Sequence, residues 1–439
     1  MYKIEDLRNR ILATLGFLLI YRLGSFVVLP GINPTELSAL EEQTSTGILS
    51  LLNMFSGGAF SNAAVFALGI MPYISASIVI QLMGMAIPYF QRLQREGESG
   101  RKKINQITRY LTVVITLAQA PSYIANLFVQ LPKEAFVITG TLFWVSSVIM
   151  LVAGTMFIMW VGEKITDKGI GNGISLLIMV GIIARLPFSL IAEFFSRLEE
   201  QGGGLVVFLV EILILFFVFV VTILLVQGTR RIPVQYAKRI VGNKQYGGVR
   251  QYIPLKVNAA GVMPIIFAQA IMFIPMTLAG FASSESMTGF VSAFSDFTGF
   301  WYNFVFALMI ILFTYFYTAL TINPTQMAED MKKNGGFIPG IKPGKKTIEF
   351  LDMIMSRITL PGSIFLAIIA ILPAFAMLAG VNNQFAQFYG GTSLLILVGV
   401  VLDTLQQIES HLLMRRYDGL MKSGRIKGRT GGAAQQFAT

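Results

Sequence analysis

The 439-residue sequence has no cysteine and one histidine. Without cysteine there is no disulfide, no thiol nucleophile and no thiolate metal site. His411 alone builds no metal site, and at the end of the last apolar run it reads as a solvated residue. No H-E-x-x-H, no G-K-[ST] phosphate loop and no nucleophile–histidine pair is present, so the sequence does not read as an enzyme and implies no cofactor. Charge is scarce as well. Asp, Glu, Lys and Arg make up 13% of the chain against 54% hydrophobic residues, a membrane composition rather than a soluble one.

What is present is a series of apolar runs, at residues 11–29, 71–90, 110–131, 135–162, 169–184, 204–228, 257–281, 302–321, 358–380 and 393–413. They predict ten spans and an all-α polytopic membrane fold. The fifth is short and is expected to run past Arg185 toward Leu190. The first is not read as a signal peptide, because it is long, contains Arg22 and lacks a small-residue cleavage pattern.

Between the first two spans lies FSGGAFSNAAVFALG, residues 55–69. It is apolar and uncharged, yet as a helix it reaches only ~22 Å, short of a ~30 Å hydrocarbon core. Gly57 and Gly58 loosen its start, and Gly69 and Pro72 interrupt the passage into the next span. Backbone of this kind at membrane depth must face protein or a water-filled cavity. The sequence therefore predicts an enclosed cavity with a small movable helix inside it.

Positive residues mark cytoplasmic connections. Of the 34 Lys and Arg, 30 fall on alternate connections of one side and 3 (Lys133, Arg185 and Arg197) on the other. Both termini are therefore expected to be cytoplasmic, with the net charge of +11 concentrated on one face as a docking surface for an acidic partner. Two loops on that face are longer than connectors need to be. Residues 228–256 carry β-prone flanks around the Gly-rich stretch NKQYGG, which predicts a protruding hairpin. Residues 322–357 hold Asn323-Pro324 as a helix start, a polar helix to Asn334 and the turn-rich FIPGIKPGKK. Basic loops of this kind suit anionic lipid, RNA phosphates or an acidic protein.

Ten spans divide as five plus five, residues 1–200 and 201–439. An odd number per half inserts two similar halves with opposite orientation, an inverted repeat with its pore or site between them. This reading rests on the span count alone.

Several stretches carry a resemblance: FALGIMPYISASIVIQL at 66–82, GESGRKKINQITRY at 97–110, GTMFIMWVGEKITDKGIGNGIS at 154–175, LKVNAAGVMP at 255–264, FTYFYTALTINPTQMAEDMKKNGGFIPGIKPG at 313–344 and GGTSLLILVGVVLDT at 390–404. They resemble the SecY family, the channel subunit of the bacterial Sec protein translocon. The resemblance implies a ten-helix inverted repeat in the cytoplasmic membrane, with an hourglass pore, a plug helix and a lateral gate toward lipid. It implies that residues 55–69 are the plug, with Gly57, Gly58, Phe60, Asn62, Phe66 and Gly69 in it. Ile74, Ile78, Ile174, Ile178, Ile266 and Ile396 match the family's pore ring, where branched aliphatic side chains seal around a chain without binding it. Gln81, Gln119 and Asn258 match positions near the lateral gate. Arg22 matches an arginine of the first span, and Asp403 is expected to face the vestibule. Asn172, in GIGNGIS, precedes the fifth span in a loop that only superficially resembles a phosphate cradle. Lys238 and Arg239 match basic positions of the hairpin loop. Lys342 stands where the family commonly has arginine, which keeps the charge but loses the bidentate fork. The implied partners are the SecE and SecG membrane subunits, the SecA ATPase or a translating ribosome, secretory preproteins with their signal peptides, and the lipid bilayer.

A secondary transporter is the alternative from the residues alone. It would need intramembrane charges for coupling ions, and the deep candidates are few: Arg22, Glu211 and Asp403, with no obvious pair.

Overall fold

The structure, a computed structural model, describes residues 5–37, 40, 53–198, 204–236, 239–241, 244–246, 250–269, 271–272 and 298–422. Helix α1 is Glu5–Gly24, α2 Met71–Ala86, α3 Pro88–Arg95, α4 Glu98–Gln130, α5 Thr141–Lys168, α6 Gly173–Leu198 and α7 Gly204–Gln227. Strands β1 Thr229–Tyr236, β2 Arg239–Val241, β3 Lys244–Tyr246 and β4 Arg250–Lys256 follow. Residues 263–269 and 271–272 are helical. Then come α8 Phe300–Thr321, α9 Pro324–Lys333, β5 Gly336–Phe337, α10 Lys345–Leu378, α11 Asn383–Ala386 and α12 Gly391–Lys422. Among the described residues seven helices are long and apolar enough to span a membrane, or eight if α2 and α3 count as one broken span. The described residues do not confirm the expected number of ten; the end of the seventh apolar run, from 273, lies outside them.

Three expected helices differ from the structure. The run 71–90 is not one span. Ile87 precedes Pro88 and is held extended (φ −112°, ψ 120°), so the chain turns through 102° into α3. The run 11–29 is helical only to Gly24, because residues 27–29 pair instead with the 63–65 backbone: Leu29 N donates to Ala63 O and Val65 N to Val27 O, both at 2.9 Å. Residues 55–69 are not a helix either. Beyond 53–55 they form successive turns, with Gly57, Gly58, Ala63 and Gly69 at positive φ. Asn53 Oδ1 accepts from Ser61 N and Ser56 Oγ from Phe60 N, so side chains replace the helical ladder. The fifth span runs past Arg185 as expected, and continues to Leu198.

The long loops fold as one unit. β1 pairs antiparallel with β4, and the same register continues through β2 and β3 toward residues 242 and 243, which lie outside the described residues. Lys244–Tyr246 is thus strand rather than part of the turn. Asn323 caps α9, accepting from Thr325 N at 3.1 Å and Gln326 N at 3.3 Å. β5, from the second loop, adds to β1, giving the order β4-β1-β5. Ile232, Val234 and Leu255 of the hairpin are buried against Ala328, Met331, Leu351 and Met355.

Candidate functional site

A small cavity lies at the centre of the bundle. Its volume is about 20 Å³, room for roughly one water. Ile74 and Ile78 line it from α2, Ile178 from α6, Ile266 from the 263–269 helix and Ile396 from α12. The i,i+4 pair on α2 presents two of these from one face. Ile174 is not part of this wall; one turn earlier on α6, it lies close to Gly162 of α5. Phe55, Met71, Ser75 and Gln269 complete the lining, and sequence reasoning singled out none of these four. Phe55 is the first residue of the 55–69 segment, so that segment closes one side of the cavity.

The segment is held by close packing and by two cations. Gly57 and Gly58 place their backbones against α6 and its Arg185. Arg22 Nη1 donates to Gly57 O, and its guanidinium carbon Cζ stands 4.9 Å from the centre of the Phe26 ring. Arg185 Nη2 donates to Ser61 Oγ at 3.0 Å. Sequence reading counted Arg185 among the connection charges while expecting the span to run past it; α6 continues to Leu198, so Arg185 lies within the helix, beside the segment. Tyr123 donates its hydroxyl to Phe60 O at 2.9 Å, and its ring meets Phe60 edge-on at 4.8 Å. Phe66 stacks between Tyr21 and Phe157, at 6.2 and 5.9 Å. Asn62 is half-buried and Gly69 is buried.

Gln81, Gln119 and Asn258 are joined by no hydrogen bond among the described residues. Gln81 donates to Ser77 of its own helix at 3.4 Å, Gln119 is exposed on α4, and Asn258 is buried with Oδ1 lacking a partner. Asp403 and His411 are exposed. Asn172 Oδ1 accepts from Ile174 N at 3.2 Å and so caps α6. The neighbouring amides are used by protein groups, Ile170 N by Thr14 and Gly171 N by Gln407. Among the basic calls, Lys342 is exposed in the β5–α10 turn, Arg239 lies on β2 and Lys238 lies outside the described residues.

Glu211, read from sequence as unpaired, has a partner. Arg197 Nη2 reaches its Oε1 at 2.5 Å, because α6 is long enough to carry Arg197 alongside α7.

Apolar helices around a sealed central constriction, with an internal segment folded into it, define a multi-pass membrane protein built as a plugged channel. The family model described as SecY matches residues 64–405. Protein translocase subunit SecY of Mycobacterium tuberculosis (strain ATCC 25618 / H37Rv) is 43% identical over 435 residues, covering 95% of this chain and 97% of that one. The subunit of the same name from Chlamydia trachomatis serovar D is 41% identical over 452 residues, 98% of each. The chain belongs to the SecY family. The solved structure described as that of a protein conducting channel aligns with TM-score 0.63 at 18% identity over 92% of each chain. One described as showing that the SecY plug domain stabilises the closed state aligns at 0.59 and 17%, again over 92% of each. At these identities the two establish a shared fold. The family is not one of enzymes, and nothing in these matches supports the ion-coupled transporter.

Proposed function

We propose that the chain forms the channel of a Sec translocon: it passes unfolded secretory polypeptides across a membrane and releases hydrophobic segments sideways into lipid. The observation that carries this reading is the isoleucine cavity, closed on one side by Phe55. A constriction of branched aliphatic side chains offers no hydrogen bonds to water or ions, yet deforms around an extended chain. Ile74, Ile78, Ile178, Ile266 and Ile396 form this ring, with Ile174 in the layer beside it. The 55–69 segment is the plug.

The membrane is the bacterial cytoplasmic one, with both termini cytoplasmic and two inverted halves, 1–200 and 201–439, meeting at the ring. Gln81, Gln119 and Asn258 belong to the lateral gate, where signal peptides pass; the unmatched Oδ1 of Asn258 suits a seam that opens. The basic loops, with Lys238, Arg239 and Lys342, receive SecA or a translating ribosome, which supplies the energy. SecE and SecG bind within the membrane.

The test is crosslinking from a photoreactive residue at position 78 to a stalled secretory chain. A crosslink that depends on a functional signal peptide supports the reading. A chain that crosslinks only to lipid-facing positions such as Leu213, and never to position 78, overturns it.

A further inference from the structure

Where α6 and α7 come together, three charged side chains meet. Glu193 is fully buried and Glu211 is 6% exposed. Arg197 serves both: its Nε donates to Glu193 Oε1 at 2.9 Å and its Nη2 reaches Glu211 Oε1 at 2.5 Å. The same Nη2 donates to Gly380 O at 2.6 Å, at the end of α10. Glu193 Oε2 accepts from Asn382 N at 2.8 Å, and Tyr389 donates its hydroxyl to Glu211 O at 2.8 Å. Among the described residues these are the titratable groups at this point: Glu193 and Arg197 from α6, Glu211 from α7 and Tyr389 from the turn before α12.

The charges do not balance. Two buried carboxylates share one guanidinium. Glu193 has a donor on each oxygen, whereas Glu211 Oε2 is buried and has none. The nearby group that could answer it is Glu193: Glu193 Oε1 and Glu211 Oε1 are bonded to neighbouring nitrogens, Nε and Nη2, of one guanidinium, which sets the two carboxylates side by side. Two carboxylates at that separation repel unless a proton lies between them. A lone oxygen without a donor, beside a second carboxyl group, is what a shared proton would satisfy.

We propose that Glu193 and Glu211 hold one proton between them, so that the cluster is a proton-binding site joining α6 to α7 and, through Gly380 and Asn382, to the end of α10. With the proton bound the cluster is neutral and every buried oxygen is satisfied. Without it, a net negative charge is buried between two helices, and their repulsion loosens the joint. The site lies away from the basic loops: Glu211 is in the second turn of α7, whose far end leads into β1. It stands independently of the channel reading, since it needs only the geometry of these four side chains.

Infrared spectroscopy of the full-length protein in lipid vesicles tests this through the protonated-carboxyl stretch. The unmodified protein should show this band at neutral pH and lose it as the pH is raised. E211Q should lack it, because Glu193 then has Arg197 to itself. E193Q should lack it for the same reason applied to Glu211, and it keeps the test open if E211Q does not fold. Thermal unfolding gives a second reading. The unmodified protein should lose stability as rising pH strips the proton, and the variants, with one carboxylate per guanidinium, should not. No protonated-carboxyl band at neutral pH in the unmodified protein, or a band undiminished in either folded variant, overturns the proposal.

Discussion

Gly57 in the proposed plug and Gly181 on α6 meet backbone to backbone. A Cβ on Gly57 would lie 2.9 Å from Gly181 Cα, and one on Gly181 would lie 3.2 Å from Gly57 N. Gly57 also has a φ of +66°, which disfavours any other residue. The same closeness recurs around the segment. A Cβ on Gly24 of α1 would lie 2.1 Å from the Phe66 ring, and one on Gly154 of α5 would lie 2.3 Å from Val65 O. Three helices thus receive the 55–69 segment at glycines, and its position depends on their lack of side chains.

Adding side chains there should unseat it. Gly181→Val overpacks a backbone contact that cannot yield, at a cost of about 1–3 kcal/mol, or a ~5- to ~150-fold shift toward the displaced plug. In planar bilayers the resting channel should leak ions by a comparable factor. The sequence has no cysteine, so Asn62→Cys gives a single reporter, and maleimide should label it faster in the Gly181→Val background. Unchanged leak and labelling would show that the segment is fixed filler.

Arg22 of α1 and Arg185 of α6 should hold the same turn of the proposed plug. A hydrogen bond from a charged donor contributes about 1.5–3 kcal/mol. Arg22→Met removes the bond to Gly57 O while keeping much of the side-chain volume, so resting leak should rise about tenfold or more with folding intact. Arg185→Met should do the same through Ser61. The double variant should fall short of the product of the two, because both act on the same short stretch, at Gly57 and Ser61. Fully multiplicative effects on leak would place the two arginines on separate processes.

How much of this was legible in the sequence follows from the range of the interactions. Seven of the ten expected spans came through because each is a long apolar run, and Asn323-Pro324 is a local cap. Ile74 and Ile78 share a face by spacing alone. The plug was visible as an interruption but not as turns, because its conformation depends on partners far along the chain: Val27, Val28, Tyr123 and Arg185. The break at Pro88 was a local signal passed over, since the residue before a proline is driven extended. The Arg197–Glu211 pair was hidden because the end of α6 was set too early. β5 pairing with β1 joins residues about a hundred positions apart, and two residues of strand carry no periodicity to read.

The isoleucine cavity should respond to polarity more than to size. Ile178→Asn and Ile396→Asn place an amide on the wall of a cavity with room for about one water. A hydrated constriction conducts, so resting leak should exceed that of the matched Ile178→Ala and Ile396→Ala variants, although alanine makes the larger opening. Alanine should instead cost stability, about 2–5 kcal/mol per site if the wall does not collapse. Equal leak from the alanine and asparagine variants at both sites would mean that width alone sets the seal.

The two basic loops should act as one docking element, since β5 hangs on β1 and both lie over the same small core. Arg231, Arg250 and Lys342 are exposed on it, and their removal leaves Ile232, Val234, Leu255 and Met331 in place. Reversing the three to glutamate should weaken binding of SecA or ribosomes by an amount that shrinks as salt rises, with the hairpin still folded. Adding Lys238→Glu and Arg239→Glu should weaken it further. Val234→Asn should act differently. It puts an unpaired amide into a fully buried position, costing about 1–3 kcal/mol, and should loosen both loops together. Protease sensitivity should then rise at residues 336–344 as well as in the hairpin, with partner binding lost at every salt concentration. Cleavage confined to the hairpin, with the second loop still resistant, would show that the β1–β5 pairing does not couple them. Triple-reversal protein that binds as tightly as the unmodified chain at low salt would move the docking surface to the basic stretch after Leu413.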